Sequence, residues 1–343
     1  MNNPTKLLFI LTLVGGTIVS ISSNSWFGAW IGLEINLLSF IPLMSDPSDL
    51  MTTEASLKYF LTQALASATL LFTVIFAALI FSLPNSLMTP NPFLNMLISS
   101  SLLMKMGAAP FHFWFPGVME GLSWMSGLTL MTWQKIAPLI LLSYNFQFNL
   151  FSAFIMISSI SVGSIGGLNQ TSLRKILAYS SINHLGWMTA AMMLGENAWN
   201  LYFLIYTFLT LTIILLLYTL NVSHINQTFS MNSMAPIVKF SLFTSLLSLG
   251  GLPPFLGFLP KWIIIQMLAA MEMKMIAVIM VTMTLVTLFY YLRLGFSAFM
   301  LSYSESMWAP RSQTLTPPLL GALTLSTVST LGLVICTAVY HTL

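Results

Sequence analysis

Five ionisable side chains fall inside sequence that is otherwise apolar: Glu34, Lys105, Lys135, Lys261 and Arg293. A charge at the centre of a bilayer costs at least ~2.5–3.5 kcal/mol, so such residues face the protein interior or a hydrated cavity and pair with one another. Glu34 stands in Trp30-Ile31-Gly32-Leu33-Glu34-Ile35-Asn36, with Asn36 as a polar helper. Lys105 precedes Met106-Gly107-Ala108-Ala109-Pro110, and Lys135 stands in Trp133-Gln134-Lys135-Ile136-Ala137-Pro138. Burial disfavours an ammonium group and a nearby carboxylate favours it. A lysine held between the two influences can load and release a proton, which an always-protonated arginine cannot do. The set therefore points to a proton or ion pathway; static ion pairs between helices are the blander account. Lys261 falls near the end of its segment, where snorkelling would serve equally well. Arg293 lies eight residues from the end of its span and reads as structural.

Other candidates are weaker. His112 and His184 lie in apolar sequence, each either a hydrogen-bonded packing residue or a further proton carrier. Lys58 follows Glu54 by four residues, the spacing of a helical surface pair at the membrane edge. Cys336 is the one cysteine, which excludes an internal disulfide and a thiolate cluster for zinc or iron–sulfur. No two of His112, His184, His224 and His341 have metal-ligand spacing, and no glycine-rich phosphate loop occurs. Neither a bound metal nor a cofactor is expected.

The elements that hold these residues are membrane helices. Only 6 % of the 343 residues are charged, 57 % are hydrophobic, and mean hydropathy is +0.89. Soluble domains carry roughly 25 % charged residues, so a water-facing surface cannot be built. A net charge of +3, scattered along the chain, leaves no nucleic-acid footprint. With about 20 apolar residues per crossing, the sequence divides into eleven spans: 7–22, 25–44, 59–82, 95–115, 124–144, 150–168, 176–194, 199–221, 237–262, 275–301 and 317–340. The fold expected is all-α, a polytopic transmembrane bundle forming one membrane domain over 1–343. Alternating spans put Lys6, Lys58, Arg174, Lys175, Lys239 and Arg311 on the N-terminal side and only Lys274 on the other. The positive-inside rule then makes the N-terminus cytoplasmic, or matrix-facing in a mitochondrion. An Arg-rich transit peptide is absent, and Met1 to Lys6 leads straight into the first span.

Two spans must break. Gly107-Ala-Ala-Pro110-Phe-His-Phe-Trp-Phe-Pro116 in span 4 and Gly251-Leu-Pro253-Pro254-Phe-Leu-Gly-Phe-Leu-Pro260 in span 9 share G-x-x-P-F-x-x-x-x-P, 144 residues apart. Five spans separate them, so the copies cross in opposite senses, as inverted repeats over approximately 7–144 and 150–301 with a C-terminal span at 317–340. Paired Gly/Pro-broken helices in inverted repeats mark ion transporters, whose sites form at the breaks. Lys105 flanks one break and Lys261 the other. From the residues alone, three readings stand: an ion-translocating subunit, a stand-alone cation/proton antiporter, and a structural membrane subunit.

These motifs stand in a familiar order. Leu33-Glu34-Ile35-Asn36, Glu54-Ala-Ser-Leu-Lys58-Tyr-Phe60, Lys105-Met-Gly-Ala-Ala-Pro-Phe-His-Phe-Trp114, Thr132-Trp-Gln-Lys135, the run from Gly167 through His184 to Trp187, and Gly250-Gly-Leu-Pro-Pro-Phe-Leu-Gly-Phe258 cover nearly the whole chain. Together they resemble the antiporter-like membrane-arm subunits of mitochondrial NADH:ubiquinone oxidoreductase, respiratory complex I, in the subunit 2 type and an arthropod-like form. The resemblance implies a core membrane subunit of an enzyme that moves protons while other subunits pass electrons from NADH to ubiquinone. It implies a proton path through Glu34, Lys105, Lys135 and Lys261, with His184 and Lys58 at secondary positions. FMN, iron–sulfur clusters and ubiquinone would be bound by partner subunits, leaving this chain without a cofactor. The partners implied are other membrane-arm and accessory subunits and lipid, in the mitochondrial inner membrane with the N-terminus on the matrix side.

Overall fold

The computed structural model describes residues 3–81, 91–229, 236–299 and 317–342. These residues are helical almost throughout, without a strand among them; one isolated bridge joins Ser172 and His224. The chain is an all-α membrane protein. Arg311 and most of the Pro84-to-Pro92 turn run lie outside the described residues, as does part of the Asn221-to-Asn232 stretch. Two compact units emerge, Met1–Ile155 and Met156–Leu343.

The first unit opens with α1 (Asn3–Ser22), α2 (Trp26–Met44) and α3 (Leu50–Phe81). Ser25 starts α2 by accepting the Gly28 N–H at 3.2 Å, as a helix N-cap serine should. The α2–α3 turn is fixed by Asp46, which accepts the Ser48 N–H at 3.3 Å. That bond holds the Asp46 carboxyl below the usual carboxylate range. Helix α3 begins nine residues before the expected span. Its first turns carry Thr52, Thr53 and Glu54, polar residues that a hydropathy count places outside the membrane but that a helix tolerates.

Span 4 is broken as expected, into α4 (Pro92–Met106) and α5 (Trp114–Gly121). Span 5 is also interrupted, into α6 (Trp124–Met131) and α7 (Trp133–Asn145), which the sequence did not announce. The joint is Thr132, whose hydroxyl donates to the Leu128 carbonyl at 2.7 Å. Neither Gly nor Pro marks it; a threonine bonded back onto its own helix is a known source of bending. Helix α8 (Leu150–Gly166) carries the boundary between the units.

The second unit is built around α9 (Leu173–Leu194), which is buried along almost its whole length. Around it come α10 (Glu196–Leu220), the short α11 (Ile225–Phe229), α12 (Pro236–Gly250), α13 (Phe258–Ala270), α14 (Lys274–Phe299) and α15 (Pro317–Thr342). Span 9 is therefore broken too, and its second half runs to Ala270, eight residues past the expected end. Arg293 donates to the Leu168 carbonyl at 3.1 Å, which suits the structural role expected of it.

Five described helices are long and apolar enough to cross a membrane: Pro4–Ser22, Trp26–Met44, Leu50–Leu79, Glu196–Leu220 and Lys274–Phe296. Helix α9 is 22 residues long but opens with Arg174 and Lys175 and is less apolar, and several other expected spans are met by shorter or broken helices. Large apolar side chains are exposed along α1 and α3, among them Leu7, Leu11, Leu61, Leu65 and Phe72. In water that surface would aggregate; in lipid it is the proper solvent.

Lipid offers no hydrophobic drive between helices, so close packing must hold them. Helices α1 and α2 meet at Gly16 and Gly32. A Cβ on Gly32 would lie 2.5 Å from the Ser20 nitrogen and 2.7 Å from its Cα. A Cβ on Gly16 would lie 2.8 Å from the Asn36 nitrogen. Gly32→Leu is expected to lower stability by about 1–3 kcal/mol through overpacking, read as the denaturation midpoint in detergent micelles. Gly15→Ala, with nothing within 4 Å of its Cβ, should hold or raise that midpoint, since alanine is the better helix former.

Candidate functional site

A helix that stops inside an apolar span leaves its last carbonyls without partners, and lipid cannot supply them. In the first unit α4 ends at Gly107, which adopts a left-handed φ of 74° and donates its N–H to the Leu103 and Met104 carbonyls. The Trp114 indole donates to the Met104 carbonyl at 3.1 Å. Gln63 of α3 donates its Nε2 to the Lys105 carbonyl at 3.1 Å. Lys105 is thus fixed in the last turn of α4 by its own backbone. A cis Ala109–Pro110 bond follows within the break.

The second unit resolves the same problem differently. Helix α12 ends at Gly250, and Gly251 is left-handed with φ 81°. The Gly251 N–H donates to the Leu247 and Ser248 carbonyls at 3.1 and 3.0 Å. A cis Pro253–Pro254 bond occupies the position that matches Ala109–Pro110. Here the lysine itself closes the helix: Lys261 Nζ, from the first turn of α13, donates to the Gly250 carbonyl at 2.8 Å. A cation at a helix C-terminus also complements the partial negative charge there. Its ammonium stands 5.9 Å from the Trp187 ring centroid. The break turns what linear counting read as a span-end lysine into a buried one, 6 % exposed.

Around Lys105 the first unit gathers several polar groups. Glu34 is half-buried on α2 and forms no direct ion pair with Lys105. Asn36, two residues on, accepts from Gln134 Nε2 at 3.0 Å. That bond ties α2 to the first turn of α7, which carries Lys135. Lys135 is fully enclosed, its Nζ 5.3 Å from the centroid of the Phe115 ring. His112 lies within the break, its Nδ1 3.3 Å from the Pro110 carbonyl oxygen and its ring against Phe113. A cavity of about 20 Å³ beside Lys105 is lined by Asn36, Tyr59, Gln63 and Gln134.

In the second unit His184 is buried on α9, with Nδ1 2.8 Å from the Tyr202 hydroxyl and its ring 5.1 Å from that of Tyr206. Lys58 stands apart from the buried set: it pairs with Glu54 at 2.6 Å on the exposed face of α3. Glu34, Lys105 and Lys135 are thus found on packed helices of the first unit, and Lys261 and His184 in the second. Sequence reasoning passed over Tyr59, Gln63 and Gln134. The available signal was three hydrogen-bonding side chains inside apolar helices, with Tyr59 and Gln63 one turn apart on α3.

The described residues hold no group of three or more His, Cys, Asp or Glu side chains that could bind a metal. What the arrangement offers is titratable groups in enclosed surroundings: three buried lysines, with amides and a tyrosine hydroxyl around Lys105 and aromatic rings beside Lys135 and Lys261.

Residues 23–287 match the family model described as NADH:quinone oxidoreductase/Mrp antiporter, TM, and residues 288–340 match NADH dehydrogenase subunit 2 C-terminus. NADH-ubiquinone oxidoreductase chain 2 of Anopheles gambiae is 57 % identical over 309 residues, 90 % of either chain. The chain belongs to this family. The Aedes aegypti relative is 54 % identical over 341 residues, 99 % of both chains. Among solved structures, a chain of respiratory complex I from Thermus thermophilus is similar at a TM-score of 0.81 and 26 % identity, over 96 % of this chain and 78 % of that one. The insect relatives agree with the arthropod-like resemblance of the sequence, and the complex I neighbour agrees with a membrane-arm fold.

Gly251 meets two demands at once. Its φ favours glycine, and an added Cβ would lie 2.9 Å from both Cδ and Nζ of Lys261. Gly251→Ala should therefore cost more than the roughly 1 kcal/mol that a left-handed alanine costs by itself, because the Lys261–Gly250 bond must shift as well. Thermal denaturation in detergent measures this; Gly117→Ala, inside α5 with nothing near its Cβ, should denature at the same or a higher temperature than the unsubstituted protein.

Proposed function

We propose that the chain is a core membrane-arm subunit of NADH:ubiquinone oxidoreductase, carrying protons through its two broken-helix units while partner subunits pass electrons from NADH to ubiquinone. The observation that carries the reading is the burial of Lys105, Lys135 and Lys261 beside helix breaks and polar side chains, in a chain of this family. Flavin, iron–sulfur clusters and ubiquinone are assigned to the partners, and accessory subunits and lipid cover the exposed apolar faces. The membrane is the mitochondrial inner membrane, with the N-terminus on the matrix side, because Lys6, Lys58, Arg174, Lys175 and Lys239 then share that side.

The two units are read as inverted repeats, each with its lysine at the G-x-x-P-F break. In the first, Glu34 favours the charged form of Lys105 when its carboxylate is near and releases the proton when it withdraws. Electron transfer elsewhere in the complex drives that withdrawal. Glu34 and Lys105 form no direct ion pair, and their separation is read as variable. Lys135, tied to α2 through the Gln134–Asn36 bond, is the receiving group of that unit. Lys261 is the terminal carrier of the second unit. His184 and His112 are secondary carriers, His184 through the Tyr202 hydroxyl. Lys58 is a surface proton collector, its pair with Glu54 exposed to exchange. Arginine cannot replace any of the three buried lysines, because it does not release its proton.

Lys105→Met keeps a flexible side chain of similar length and removes the titrating group. In membranes carrying this variant the complex should assemble in normal amount on native gels, and NADH-driven proton uptake per electron should fall. Normal turnover together with a normal proton-to-electron ratio would overturn the assignment of Lys105. Migration of the chain apart from any NADH-oxidising assembly would instead favour a free cation/proton antiporter.

A further inference from the structure

Tyr59 lies one turn before Gln63 on α3 and is 3 % exposed; Lys105 is 7 % exposed. The Tyr59 ring is gripped by aromatic neighbours, at 5.5 Å from the Phe40 centroid and 5.7 Å from that of Trp114. Packing therefore fixes the ring, and the hydroxyl is left as its one polar handle. Among the described residues no group hydrogen-bonds the Tyr59 hydroxyl or Lys105 Nζ, although both residues wall the same cavity. A buried hydroxyl or ammonium left without a partner is costly. The wall also holds the apolar Leu33, Leu37 and Pro138, and three further polar residues, Asn36, Gln63 and Gln134. Gln63 spends its Nε2 on the Lys105 carbonyl and Gln134 spends its Nε2 on Asn36 Oδ1, which leaves each glutamine an amide oxygen to accept and leaves Asn36 an amide nitrogen to donate.

The cavity measures about 20 Å³. One water needs roughly 10–15 Å³ measured in this way, and two to four polar partners. Space and chemistry thus both suit a bound water. We infer that this cavity is a one-water binding site joining Lys105 Nζ to the Tyr59 hydroxyl, and that Tyr59 is a positioning residue of the proton path. Tyr59 holds the water against the ammonium group; the water takes the proton that Lys105 releases. The step is a proton transfer alone: the Lys105 N–H bond breaks and an O–H bond forms on the water as another of its O–H bonds breaks, so that the water is regenerated and the proton passes to neutral Lys135, the receiving group of this unit. The inference rests on the reading of Lys105 as a proton carrier.

The test uses the assembled complex in respiratory membranes. Tyr59→Phe removes the hydroxyl and keeps the ring against Phe40 and Trp114. Assembly on native gels and NADH oxidation by an artificial electron acceptor should be unchanged. Quinone-coupled proton uptake should fall roughly two- to tenfold, the loss of one hydrogen bond to the bridging water, and its solvent deuterium isotope effect should change. A high-resolution map of the unsubstituted complex should show a water within about 2.7–3.2 Å of both Lys105 Nζ and the Tyr59 hydroxyl oxygen. Unaltered uptake in Tyr59→Phe, alongside impaired uptake in Lys105→Met, would overturn this inference alone. Normal uptake in both variants would overturn the role of Lys105 as well. Loss of uptake in step with loss of assembled complex, with an unchanged isotope effect, would make Tyr59 structural and also overturn the inference.

Discussion

The fold turns on backbone carbonyls that lipid cannot satisfy. A continuous helix hides this problem, because every carbonyl up to the last turn finds its own partner. A helix that stops at Gly107 or Gly250 exposes it at membrane depth. Trp114 and Gln63 answer in the first unit, and Lys261 answers in the second. The breaks can exist only where other helices bring donors to them. Those donors, and the groups packed around them, form the polar surroundings of the buried lysines. The supports of the fold and the components of the site are in large part the same residues.

The two lysines at the breaks are consequently in different states. Lys261 is committed to the end of α12, bonded to a carbonyl and standing over Trp187. Releasing its proton would weaken the cap it provides, so protonation there is coupled to how the break is held. Lys105 gives its backbone carbonyl to the fold and keeps its ammonium for the cavity. The shared G-x-x-P-F pattern hides this contrast, because the lysines flank opposite ends of it. Lys105 ends the helix before its break, where a side chain need not turn back to meet the carbonyls. Lys261 begins the helix after its break, where the preceding helix end is its nearest acceptor.

Much of this was legible in the sequence. Glu34, Lys105, Lys135 and Lys261 announce themselves by the cost of charge in apolar surroundings, and the breaks by glycine and proline. The Glu54–Lys58 pair follows from spacing alone. The interruption at Thr132 was not legible, since a hydroxyl bonding back onto Leu128 leaves no mark in composition. Nor was the early start of α3, because hydropathy measures what lipid accepts and not where a helix begins. The wall of the cavity was least visible. Gln63 meets Lys105 across 42 residues and Gln134 meets Asn36 across 98, separations that no local pattern encodes.

Those long-range bonds bear on how a charge on one helix is felt on another. Asn36 and Glu34 share α2, Gln134 and Lys135 share α7, and the amide bond between them fixes one helix against the other. At Gly16 and Gly32 the α1 and α2 backbones are in contact, which leaves α2 little freedom to slide on that side. A change at Glu34 is therefore resisted along α2 itself and is more readily expressed by rotation of its side chain, or by rearrangement of the side chains around the cavity. The small space beside Lys105, walled by Asn36, Tyr59, Gln63 and Gln134, is where these helices present polar side chains to one another.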